Sequence, residues 1–141
     1  MKDCVATDYE TLKIRMQEQS ALRRVSAVLS WDTQVMMPQG ASPVRGRKSA
    51  QMARTLHREF VSAENGRLLE RLINSEGKGL SPRQWFNVKK LHQAYLHSTR
   101  LGEELVGKRA ELSARGYSTW QKAKQENRFD EYLPILEQWM D

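Results

Sequence analysis

The sequence predicts an all-α protein of about six helices in an antiparallel, bundle-like array. Three observations carry that expectation. Apolar residues recur at helical spacing along nearly the whole chain. No run of alternating apolar and polar residues bounded by turn signals marks a strand. Two Ser-Pro pairs, Ser42-Pro43 and Ser81-Pro82, read as helix starts, because Ser can cap free backbone amides and Pro tolerates the first helical position.

The first helix is expected over about Thr7 to Trp31. It carries Tyr9, Leu12, Met16, Leu22, Val25, Val28 and Leu29 on a stripe that widens toward the C-terminal end, which should be the more deeply buried. A loop from Asp32 to Ser42, with Pro38 and Gly40, leads to a second helix over about Pro43 to Phe60. Ala50, Met52, Ala53, Leu56 and Phe60 should face inward, with Arg47, Arg54 and Arg58 on another side. After a break near Ser62 to Gly66, Leu68, Leu69, Leu72 and Ile73 mark a third helix that stops before Gly77 and Gly79. The fourth presents Trp85, Val88, Leu91 and Tyr95 and closes near Thr99 to Gly102. The fifth, about Glu103 to Glu126, contains Gly107 and Gly116, each costing about 1 kcal/mol relative to Ala. Gly116 is the expected kink or close-packing point. A break at Asn127 and Arg128 precedes a short apolar helix from near Asp130, with Pro134 in its first turn and its end at Asp141.

The 141 residues suit one domain with a sizeable core, and 39% hydrophobic against 28% charged residues places the chain away from disordered compositions. Cys4 has no partner for an intramolecular disulfide and lies in a terminus expected to fray, so a cytoplasmic setting is expected. The opening MKDCVATDYE is not a secretory signal, and no apolar run approaches membrane-spanning length. The net charge of +6 is uneven. Arg45, Arg47, Lys48, Arg54 and Arg58 form one acid-free stretch; Lys78, Arg83, Lys89, Lys90 and Arg100 form another; Glu126 to Asp141 is acidic.

The basic stretch from Arg45 to Arg58 raises an acidic partner or nucleic acid as an alternative function. No helix-turn-helix, zinc-finger or basic-zipper pattern accompanies it, and the aromatics fall on the apolar faces instead. Nucleic-acid binding is therefore expected to be weak and nonspecific. His57, His92 and His97 do not form an H-E-x-x-H motif, and His92 and His97, five apart, point about 140° away from each other round a helix. No metal, cofactor or catalytic residue is expected in this chain. P-loop, G-x-S-x-G and C-x-x-C patterns are also missing from the sequence.

Three blocks resemble a known family. Leu29 to Phe60, LSWDTQVMMPQGASPVRGRKSAQMARTLHREF, is similar to the early signature of the carboxypeptidase Taq family, with its Ser-Trp-Asp helix end and Met-Pro loop. Leu80 to Leu101 resembles the family's Leu-Ser-Pro helix closing in Thr-Arg, followed here by Glu103-Glu104-Leu105-Val106. Trp120, Ala123, Asn127, Phe129, Leu133, Pro134 and Leu136 match its Trp-x-x-Ala and Asn-x-Phe patterns.

The resemblance implies the N-terminal portion of a larger, mostly helical zinc carboxypeptidase, whose first helices wall or cover a deep peptide groove. The H-E-x-x-H helix and the later Glu ligand of such an enzyme are expected downstream of Asp141, so this chain should be inactive alone. Zinc or another divalent metal belongs to the full-length enzyme only. Within the resemblance, Trp31, Asp32, Arg45 and Arg47 are the candidate groove or interface residues. Plainer roles stay open: Trp31 packing the bundle, Asp32 binding loop amides or pairing with Arg45 or Arg47, and Met36 and Met37 tucking onto the core. The exposed apolar last helix suggests a homodimer or docking of the missing catalytic portion. A free-standing binding protein and a structural oligomer are the rival classes.

Overall fold

A computed structural model describes residues 2–38 and 40–140, with the side chains of Lys2 and Asp3 left aside. Among these residues there are six α-helices, one short 3-10 turn and no strand, as the periodicity predicts. The helices are α1 (Lys2–Val35), α2 (Ser42–Phe60), α3 (Ala63–Asn74), α4 (Pro82–Ser98), α5 (Glu103–Glu126) and α6 (Leu133–Met140); the 3-10 turn is Phe129–Glu131. Gln39, within the expected Asp32–Ser42 loop, and Asp141, the expected chain end, lie outside the described residues.

The chain folds as two compact units, one formed by Met1–Arg24 with Leu56–Gly102 and the other by Val25–Thr55 with Glu103–Asp141. The first unit holds the main core. Leu12 of α1, Leu69 and Leu72 of α3 and Val88 of α4 are at most 1% exposed and pack together, ringed by Tyr9, Met16, Trp85, Leu91 and Tyr95. Burying each such aliphatic side chain contributes about 1.5–3 kcal/mol. Two buried polar residues tie this unit. Gln19 donates to the Leu56 carbonyl at 3.0 Å. Asn65 donates to the carbonyls of Glu59 and Phe60 at 2.9 and 3.1 Å and accepts from Arg15 at 3.1 Å. Asn65 thus satisfies the last carbonyls of α2, which have no partner within their own helix.

Arg71 of α3 grips Asp8 of α1 through two hydrogen bonds of 2.7 and 2.8 Å. Those bonds, aided by the positive charge, hold the Asp8 carboxyl below the usual carboxylate range against the opposing effect of burial.

The α3 start differs from the sequence expectation. Ala63 to Gly66 are helical, and the Ser62 hydroxyl caps the Asn65 amide. Gly66 is not a break but a clearance: a β-carbon there would overlap the Tyr95 hydroxyl and lie 3.0 Å from its ring carbon. At α4, Ser81 and Gln84 form a reciprocal capping box with Pro82 following, so this Ser-Pro signal reads as written. Ser42 behaves otherwise. It is the first residue of α2, and its hydroxyl meets that of Ser118 at 2.9 Å.

In the second unit α5 packs on the 3-10 turn and α6. Gly116 is a close-packing point: a β-carbon would lie 3.1 Å from Ile135, and α5 continues through it from Glu103 to Glu126. Asn127 ends α5 at φ 54°, a left-handed conformation that Asn tolerates and that commonly terminates helices. Pro134 sits in the first turn of α6.

The first helix is longer than expected and its burial is reversed. Leu12 in its N-terminal half is 1% exposed, whereas Val25, Val28 and Trp31 are 50%, 64% and 58% exposed. Cys4 is also helical and exposed. Among the described residues, no helix is long and apolar enough to cross a membrane.

Candidate functional site

The second unit brings Asp32, in the last turn of α1, to Arg45, in the first turn of α2, as an ion pair. Both side chains are partly covered, which strengthens the pair relative to one standing in open solvent. The pair bridges the short connection around Pro38 and Gly40 and so fixes how α1 ends and α2 begins. Trp31 is exposed rather than packed into a core, and Met36 is exposed while Met37 is half-buried. Arg47 is exposed and takes no part in the Asp32–Arg45 pair.

The basic residues of α2 differ in their surroundings. Arg45 is engaged by Asp32. Arg54, expected beside Arg47 and Arg58, instead lays its guanidinium against Gly107 of α5, where a β-carbon would collide with it. Arg58 is exposed.

The same unit holds a cleft of about 400 Å³ lined by Ser26, Ser30, Thr33 and Gln34 of α1, Ser49 and Ala53 of α2, and Ala110, Ser113 and Tyr117 of α5. Apart from Gln34 and Tyr117 its walls are small side chains, mostly Ser and Thr hydroxyls with alanines between them. Sequence reasoning passed over these residues because serines at helical spacing give no apolar stripe; their recurrence at Ser26, Ser30 and Thr33 was the available signal.

Two further clefts flank Trp120 within the same unit. One, about 520 Å³, is lined by Tyr117, Trp120, Tyr132, Leu136 and Trp139, and the other, about 340 Å³, by Trp120, Asn127, Phe129 and Tyr132. The Lys124 ammonium lies 4.9 Å from the Trp120 ring centre and the Arg109 guanidinium 5.3 Å from that of Trp139, distances at which the ring faces attract cations.

No group of three His, Cys, Asp or Glu residues able to hold an ion occurs among the described residues. One ring nitrogen of His57 is within 2.9 Å of the Leu101 carbonyl; His92 is half-buried along α4, and His97 is exposed in its last turn. These side chains do not fit the ligand set of a catalytic zinc, which needs three convergent donors and an open position.

Comparison with known proteins adds to the three sequence blocks. Thermostable carboxypeptidase 1 of Thermus thermophilus is 28% identical over 130 residues, covering 91% of this chain and 25% of that protein. The fold superposes on the BsuCP crystal structure with a TM-score of 0.87 at 20% identity, and on Trypanosoma cruzi metallocarboxypeptidase 1 with a TM-score of 0.70 at 23% identity. Each superposition covers 94% of this chain and 26% of the other. The chain therefore spans about a quarter of the length of these relatives. The family described as carboxypeptidase Taq (M32) metallopeptidase matches residues 11–141, nearly the whole sequence, and the chain belongs to that family.

Proposed function

We propose that the chain is the N-terminal, groove-walling portion of a metal-dependent carboxypeptidase that removes C-terminal amino acids from peptides, and that it is inactive by itself. The observation that carries this reading is the family match over residues 11–141 in a chain that spans only a quarter of its relatives. Peptide hydrolysis by a metal needs convergent ligands and a base to activate water. This chain's histidines supply neither, so zinc or another divalent ion and the peptide substrate belong to the complete enzyme, in the cytoplasm. There the partly covered Asp32–Arg45 pair would stiffen the wall, with Trp31 and Arg47 beside it. The proposed partners are the remaining catalytic portion and, where that is lacking, a second copy of this chain held through the apolar α6 edge.

A peptide with a free C-terminus, incubated with the purified chain and added zinc, cobalt or manganese, is expected to release no amino acid. Metal-dependent release would overturn the inactive-segment reading. Light scattering on the same preparation is expected to show a species heavier than a monomer at high concentration, and a strictly monomeric chain would remove the homodimer from the proposal.

A further inference from the structure

The C-terminal half of α1 is amphipathic in the reverse sense to an ordinary surface helix. At about 100° per residue, Val28, Trp31 and Val35 fall within about 60° of one another, and Val25 lies about 60° further round. All four are at least half exposed. The opposite side of the same turns carries Ser26, Ser30 and Thr33, and these line the cleft shared with α2 and α5. A helix whose only neighbours were α2 and α5 would place its valines toward them and its serines toward water.

The imbalance extends through the second unit. The large, fully buried aliphatic side chains Leu12, Leu69, Leu72 and Val88 all belong to the first unit, whereas most of the large exposed apolar residues belong to the second. Contiguous exposed apolar surface of this kind marks an interface. Its occupant follows from length. Folds that match 94% of this chain, one at a TM-score of 0.87, occur within chains about four times as long.

Taking the chain as one portion of a metallocarboxypeptidase, as proposed above, the geometry points to the Val25–Val35 stripe of α1 as the seam that receives polypeptide from the other three quarters of the family fold. The hydroxyl-lined side faces α2 and α5, and the apolar side is held for that polypeptide.

The test is a chimera in which this chain replaces the matching stretch of Thermus thermophilus thermostable carboxypeptidase 1, with Cys4→Ser in the background. Val28→Cys and, separately, Phe86→Cys, an exposed residue of the first unit, are labelled with a maleimide in the chain alone and in the chimera. At Val28→Cys labelling is expected to be fast in the chain alone and slower in the chimera by about tenfold or more, as for a site reached only through transient opening. Phe86→Cys is expected to react at the same rate in both. Equal labelling of Val28→Cys in a folded chimera would overturn the seam, as would equal slowing at both positions. Slow labelling in the chain alone, relieved by dilution of a dimer, would assign the stripe to a second copy and also overturn it. Protection at Val28→Cys without peptidase activity would support the seam and count against the enzymatic reading; activity without protection would do the reverse. A chimera that does not fold counts against both.

Discussion

Gly66 and Gly107 are both buried glycines inside helices, and the atoms they face set opposite expectations. Replacing either by Ala gains about 1 kcal/mol of helix propensity. At Gly66 the new methyl meets the Tyr95 ring, which is held edge-on against Phe60 with ring centres 6.3 Å apart. Overpacking of this kind costs about 1–3 kcal/mol, so Gly66→Ala should be less stable than the native chain by roughly 1 kcal/mol. At Gly107 the obstacle is the end of the Arg54 side chain, which can swing aside, so Gly107→Ala should match the native stability or exceed it by up to about 1 kcal/mol. Urea midpoints of the two variants check the contrast, and a Gly66→Ala variant as stable as Gly107→Ala would remove the packing account. The same scale shows what a sequence can and cannot tell. A carboxylate and nearby cations either side of a short loop made an Asp32 to Arg45 pair readable. The place of Arg54 was not, because nothing in a helical wheel reveals that a glycine on another helix leaves a hollow for a guanidinium.

Local chemistry made some helix ends legible in the sequence. Ser81, Pro82 and Gln84 carry their own capping box, and Asn127 its own left-handed stop. The start of α3 was hidden, since Asn65 and Gly66 look like loop residues until the α2 carbonyls and the Tyr95 ring that they serve are in place. Between α1 and α3 the Asp8–Arg71 clamp links packing to pH. The folded-state pKa of Asp8 is depressed, so its contribution is present above the ordinary carboxylate value and is lost as pH falls from there through the lowered folded-state value. Asp8→Asn should therefore lower stability at neutral pH and flatten the acid limb of a stability–pH curve, while leaving stability at the lowest pH nearly unchanged. Thermal melts from pH 7 downward, made at equal ionic strength, measure this. An acid limb as steep in Asp8→Asn as in the native chain would exclude the clamp as its source.

At the scale of the whole molecule, the helical class and the number of helices followed from periodicity, but the distribution of the core did not. Apolar spacing tells which face of a helix avoids water and says nothing about what will cover that face; hence the C-terminal half of α1, expected to be deeply buried, is open. Hydrogen exchange should reveal the asymmetry. Amides of α3 and of α1 around Leu12 are expected to be the most protected, and those of the eight-residue α6 and of α1 beyond Val25 to exchange faster, because few buried apolar contacts hold them. Uniform protection along α1 would contradict this division. The exposed indole of Trp31, 58% accessible, also makes the chain its own optical gauge. With Trp85, Trp120 and Trp139 replaced by Phe, the remaining emission belongs to a ring standing in water, red in colour and open to collision with dissolved iodide. Whatever comes to lie along that side of α1 must strip water from the ring, so its arrival registers as a shift toward the blue and a loss of quenching, with no label attached.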